Sequence, residues 1–144
     1  MAIFLDANIF MYAAGADHPH REPCLSLLEH VASDEPSTEF CSNTEVLQEI
    51  LHRYLAIGRP ELADQVFSNV VSLPIRFFSI RLEEMYLAKR LLSKHPQLSA
   101  RDAVHAASMK GAEVIQICTY DRGFNALDFL TRIEPESMGF GKKN

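Results

Sequence analysis

Four carboxylates stand where a fold could gather them into one site. Asp6 follows the apolar run Ala2–Leu5, and Glu49 closes Asn43-Thr44-Glu45-Val46-Leu47-Gln48-Glu49. Asp102 lies in Ser99-Ala100-Arg101-Asp102-Ala103-Val104-His105, and Asp121 in Cys118-Thr119-Tyr120-Asp121-Arg122-Gly123-Phe124. Acids so far apart in the chain do chemistry only if brought together, and without a cation they would repel one another. Hard divalent ions such as Mg²⁺ take oxygen ligands, commonly one or two carboxylates plus water. The pattern therefore points to a metal site, and such a site to phosphoryl chemistry.

Each acid also has an ordinary explanation. Asp6 could be a loop residue, but a buried strand delivers its next polar residue to the sheet edge where ligands bind. Asn8 could orient Asp6 or simply cap the next helix. Asp102 fits a capping box opened by Ser99, and locally that reading is the stronger one. Glu45 and Glu49 share a helix face. A capping box from Ser42 accounts for Glu45, so Glu49, lying deeper among Val46, Leu47, Ile50 and Leu51, is the better site residue. Asp121 is as well explained by a turn with Gly123, and Thr119 offers a hydroxyl to orient a carboxylate or water.

Other chemistry is poorly supported. Glu49-x-x-His52 has the spacing of half a di-iron site, which needs further acids and a second such pair on a helix bundle. His18-Pro19-His20 sits in a polar stretch. Ser42 and Ser79 lack the glycines of a nucleophile elbow, and no phosphate-binding or dinucleotide-binding glycine pattern occurs.

The elements that must position the acids alternate in type. Ala2–Leu5 reads as a buried strand, then a helix over 8–14 with a turn at Gly15. A helix over 24–31 follows Pro23, and 38–41 reads as a second strand. Ser42 then opens a helix to about Ile57, stopped by Gly58, and Pro60 opens another to about Val71. Residues 73–79 are a strand or an extended connection. Residues 80–93 carry a broad apolar face of helical period. Ser99 caps a helix over 100–110 ending at Gly111, and 114–118 is a β-branched strand. Residues 125–144 carry no motif. Strands alternating with helices imply an α/β fold with a mainly parallel sheet, whose ligands bind at the carboxyl ends of strands, where Asp6 and Asp121 fall.

At 144 residues the chain suits a single domain, 1–144, with a real core. Its 47% hydrophobic and 23% charged content is that of an ordinary globular protein. Asp6 halts the apolar start too early for a signal peptide or a membrane span. Cys24, Cys41 and Cys118 form no CxxC pair and suit buried thiols in the cytosol, which gives a cytoplasmic expectation. A net charge of −5 disfavours a broad nucleic-acid-coating surface but permits local contacts. Arg53, Arg59, Arg101, Lys110 and Arg122 lie near the acids in sequence.

Taken in order, Phe4-Leu5-Asp6-Ala7-Asn8, Thr44-Glu45-Val46-Leu47-Gln48-Glu49-Ile50, the segment from Ser99 to Ala107 and the segment from Thr119 to Phe124 resemble the motifs of the PIN-domain family. This is a family of metal-dependent ribonucleases that includes VapC-type toxins of toxin–antitoxin pairs. The resemblance covers most of the chain. It implies a three-layer α/β/α domain in which Asp6, Glu49, Asp102 and Asp121 are catalytic and hold Mg²⁺ or Mn²⁺, with Asn8 and Thr119 in support. It further implies single-stranded RNA as substrate, a homodimer and a partner antitoxin; Arg101 and Arg122 are the expected RNA contacts. Metal-activated water would leave a 5′-phosphate and a 3′-hydroxyl. Two other readings compete. A haloacid-dehalogenase-like phosphatase also places an Asp after its first strand but needs a second acid where Asn8 stands. A catalytically silent, partner-binding acidic domain would bind no divalent metal.

Overall fold

The strand β1 (Ala2–Leu5) pairs on both sides, and these two pairings set the architecture. In the computed structural model, which describes residues 2–33 and 38–140, the chain continues through α1 (Ala7–Ala14), α2 (Arg21–Val31), β2 (Glu39–Asn43), α3 (Thr44–Ala56) and α4 (Pro60–Val71). It then forms β3 (Arg76–Phe78), α5 (Leu82–Lys94), α6 (Ala100–Gly111), β4 (Gln116–Cys118) and β5 (Thr131–Ile133), with short 3₁₀ turns at Arg122–Ala126 and Pro135–Met138. Met1, the first residue of the apolar start, lies outside the described residues.

The sheet has the order β3-β2-β1-β4-β5, and every pairing is parallel. Helices cover both of its faces, giving the three-layer α/β/α fold expected from the alternation of elements. Burial on both faces explains why β1 is a continuous apolar run rather than an alternating one. Phe4 and Leu5 are fully buried, as are Ile9 and Phe10 in α1, Leu27 in α2, Ile50 in α3 and Ile117 in β4. Cys24, Cys41 and Cys118 are free and buried. Burial raises the pKa of the Cys24 thiol to about 11 and that of Cys41 to about 12, so both stay protonated.

Several boundaries differ from the sequence expectation. Asp6, not Asn8, caps α1: its carboxylate accepts from the Ala7 backbone N–H. Ser42 does not cap α3. The strand β2 runs on through Ser42 and Asn43, which pair with Phe77 and Phe78 of β3. The Ser42 hydroxyl instead donates to the Leu5 carbonyl at 2.9 Å, while the Asn43 side-chain oxygen accepts from the Val46 N–H at 2.9 Å and caps the helix. The helix α2 starts at Arg21, so Pro23 lies inside its first turn, where a missing N–H costs nothing. The ambiguous segment contains β3. Gly111 is the last residue of α6 rather than the residue beyond it. Gly58 fits its expected stop, with φ at +73°.

The capping reassignment is measurable. Asn43→Ala should lower the unfolding free energy by about 2 kcal/mol, because it removes the cap and also a partner of the buried His105. Glu45→Gln should leave stability nearly unchanged. Urea denaturation checks both, and an unmoved midpoint in Asn43→Ala would contradict the assignment.

Candidate metal centre

All four acids line one cleft of about 770 Å³ at the carboxyl ends of β1 and β4. Asp6 arrives first, because β1 ends at Leu5 and α1 starts at Ala7. Its backbone N–H continues the β1–β4 pairing by donating to the Cys118 carbonyl at 3.2 Å. One carboxylate oxygen caps α1, and the other accepts from the Thr119 hydroxyl at 2.8 Å. Burial is the main cause that raises the Asp6 pKa, and the Glu49 charge adds to it; His105, Thr119 and the Ala7 N–H act the other way.

Thr119 is the hub that joins the first and last motifs. Its hydroxyl donates to Asp6 and accepts from the Asn8 side-chain amide at 2.9 Å and from the Asp121 backbone N–H at 3.0 Å. Asn8 is thereby committed to positioning. It is no acid at the place where the phosphatase reading needs one.

Glu49 projects from α3 and is buried, whereas Glu45 is not among the residues lining the cleft. One Glu49 oxygen meets His105 Nε2 at 2.5 Å and the other meets Arg101 Nη1 at 3.4 Å. His105 was not among the residues expected at the site. It lies three positions after Asp102 on α6, hence on the same helix face, and is fully buried. The only sequence signal for it is a polar side chain amid Ala103, Val104, Ala106 and Ala107.

Asp102 sits in the first turn of α6, where the Ser99 hydroxyl accepts from its N–H at 3.1 Å, so the capping role and the cleft position coexist. Its pKa rises to about 7, first through burial, then through a hydrogen bond with Asp121 and the charges of Asp121 and Asp6, with His105 opposing. Asp121 caps the 3₁₀ turn by accepting from the Gly123 N–H at 2.8 Å. Gly123 lies close to both carboxylates. A Cβ on it would lie 3.1 Å from an Asp121 oxygen and 3.4 Å from an Asp102 oxygen. Arg101 lines the cleft beside Arg53 and His52, but the exposed Arg122 does not. His18 and His20 stack with Tyr12 and Tyr120 rather than facing the acids.

The crowding that raises the proton affinity of Asp6 and Asp102 suits a hard divalent cation, which would take the place of a proton there. Among the described residues, donor atoms of Asp6, Glu49 and His105 lie within 4.8 Å of one another.

The PIN-domain family description matches residues 3–130. The chain belongs to the PIN-domain family. It is 35% identical over 131 residues to a protein of Mycobacterium bovis named VapC ribonuclease Mb1869c, covering 91% of this chain and 98% of that one. It is 30% identical over 142 residues to Ribonuclease VapC7 of Mycobacterium tuberculosis, covering 95% and 94%. Among solved structures, VapBC2 of Rickettsia felis bound to a promoter DNA fragment superposes with a TM-score of 0.72 at 16% identity, over 93% of this chain and 98% of that one. VapC20 of Mycobacterium tuberculosis, described as a toxin cleaving the sarcin–ricin loop, superposes with a TM-score of 0.69 at 19% identity, over 99% and 98%. This PIN domain shares the fold of both.

The raised Asp102 pKa has a signed consequence for stability. The folded protein holds the Asp102 proton more tightly than the unfolded chain does, so this contribution is full below pH 3.8 and lost as pH rises to about 7. In the metal-free PIN domain, urea denaturation with chelator present should show wild type losing stability relative to Asp102→Asn across that interval. A difference that is flat with pH would contradict the carboxylate pairing.

Proposed function

We propose that this chain is a metal-dependent endoribonuclease of the VapC type, with Asp6, Glu49, Asp102 and Asp121 as its catalytic and metal-holding residues. The observation that carries this reading is the convergence of four acids, spread from residue 6 to residue 121, on one cleft beside buried groups that hold them in place. The names of relatives at 30–36% identity point to the same activity.

In this reading Mg²⁺ or Mn²⁺, when bound, supplies Lewis acidity toward a phosphate and its attacking water. The chain's own groups do the rest. Asp6 is pinned through Thr119 and the start of α1, so its second oxygen keeps one direction. Asp102 and Asp121 face each other across the close approach at Gly123, and either can take a proton from water. Asn8 steadies Thr119 and the backbone entering Asp121. Arg101, beside the cleft, can turn from Glu49 toward a phosphate of single-stranded RNA, and Arg122 can meet the backbone further out. The product ends would be a 5′-phosphate and a 3′-hydroxyl.

Asp6→Asn and Asp102→Asn should each abolish Mn²⁺ binding by calorimetry and RNA cleavage, while circular dichroism stays as in wild type. Glu49→Gln should cost far more activity than Glu45→Gln. Metal affinity like that of wild type in both Asp variants would refute the metal site, and the reverse order of the Glu variants would refute the role of Glu49.

We extend the reading to a cytoplasmic homodimer silenced by a partner antitoxin. Leu82, Met85 and Tyr86 form an exposed apolar group on α5 that a second copy could cover. A protein of neighbouring fold from Klebsiella pneumoniae was solved as a toxin–antitoxin complex. Light scattering should read two chains per particle, and co-expression with a small protein bearing a DNA-binding motif, if a neighbouring reading frame encodes one, should suppress cleavage. A single chain per particle would remove the dimer.

A further inference from the structure

His105 has both ring nitrogens committed, and this decides what it can be. On one side the Asn43 side-chain nitrogen lies 3.0 Å from Nδ1. The orientation of that amide is not free, because its oxygen is held by the Val46 N–H as the cap of α3. Asn43 therefore presents N–H to Nδ1, and Nδ1 accepts. On the other side Nε2 meets a Glu49 oxygen at 2.5 Å and lies 3.5 Å from an Asp6 oxygen. With Nδ1 accepting, the ring hydrogen lies on Nε2, which donates to Glu49. The ring cannot swing elsewhere: it is fully buried, with the Phe4 ring 5.5 Å from its centroid.

Two influences act on a second proton at Nδ1. Burial disfavours it, whereas the bond to Glu49 and the charges of Asp6, Glu49 and Asp102 together outweigh burial and raise the pKa. Asn43 stands against that proton. With or without that second proton, Nε2 keeps its hydrogen, since both the neutral form favoured by Asn43 and the imidazolium bear one there. The excluded form is the one with a free Nε2 lone pair, which metal ligation through that atom requires.

We propose that His105 is a positioning residue rather than a metal ligand: its Nε2–H, set by Asn43, holds the Glu49 carboxylate aimed into the cleft. The proposal rests on the metal-site reading for its catalytic meaning, and it separates His105 from Asp6 and Glu49 although its donor atom lies close enough to join them. Asn43, His105 and Glu49 then form one relay, in which the cap of a helix orients an acid further along the same helix through a residue of α6. Outer groups of this kind change metal affinity or activity by about 10–100-fold when removed.

The test has two arms. In the first, Mn²⁺ affinity is measured by calorimetry for wild type, His105→Gln and His105→Leu. Gln can place an amide N–H near the position of Nε2, so His105→Gln should stay within about threefold of wild type, while His105→Leu should weaken by about 10–100-fold. Affinity like wild type in His105→Leu, or equal losses in the two variants, would overturn the proposal. The second arm uses wild type alone and needs no variant to fold. A long-range ¹⁵N–¹H correlation spectrum should show hydrogen on Nε2 both without metal and with saturating Mg²⁺. An Nε2 lacking hydrogen in either state would overturn it. If wild type bound no Mn²⁺, the metal reading would fail by itself, and the nitrogen spectrum would still decide the His105–Glu49 bond.

Discussion

Like charges confined in a small, half-dry space are the constraint from which the rest of this molecule follows. Carboxylates in a cleft repel one another and lose hydration, and both effects favour protonation. The chain answers differently at each one. Asp6 receives a backbone N–H and a hydroxyl. Glu49 receives an imidazole and a guanidinium. Asp102 and Asp121 have only each other and two caps, and it is Asp102 whose pKa is pushed to about 7. Burial raises the proton affinity of Asp6 as well, although protein groups meet both its oxygens, so the cleft draws a cation or a proton at Asp6 and at Asp102.

The rigid surroundings hold these acids in place. Thr119 can reach Asp6 only because β4 lies beside β1, with Leu5 opposite Cys118. Glu49 can reach His105 only because α3 leaves β2 at Asn43 rather than a residue earlier. The placement of a single cap therefore sets where α3 begins, and depth along one helix face decides which glutamate enters the cleft. Glu45 and Glu49 differ by one helical turn, and burial falls to the second.

Much of this was legible in the sequence because alternating elements are punctuated by Gly and Pro. The helix from Pro60 to Val71 and the strand at Ala2–Leu5 needed no structure to find. What escaped depended on partners distant in the chain. Ser42 and Asn43 are both good caps, and only the pairing of Asn43 with Phe78 shows that the strand uses up Ser42. The strand β5 is three residues long, Thr131-Arg132-Ile133, without an apolar run, and only the sheet beside it makes it a strand. His105 read as an interior residue of an alanine-rich helix because Glu49 lies 56 positions away. Asp6 and Asp121 announced themselves by following strands, with Asn8 and Thr119 beside them, whereas His105 had no such neighbour in the chain.

The all-parallel sheet also sets a schedule. In a parallel sheet no two neighbouring strands can be joined by a tight turn, and here the central pair, β1 and β4, is formed by opposite ends of the chain. Asp6 meets Thr119 across 113 residues. A ribosome therefore releases the first acid early and the last one late, and the cleft exists only after β4 has emerged and inserted beside β1. Long-range pairing of this kind is slow to form. A copy that stops before β4 carries acids but no site.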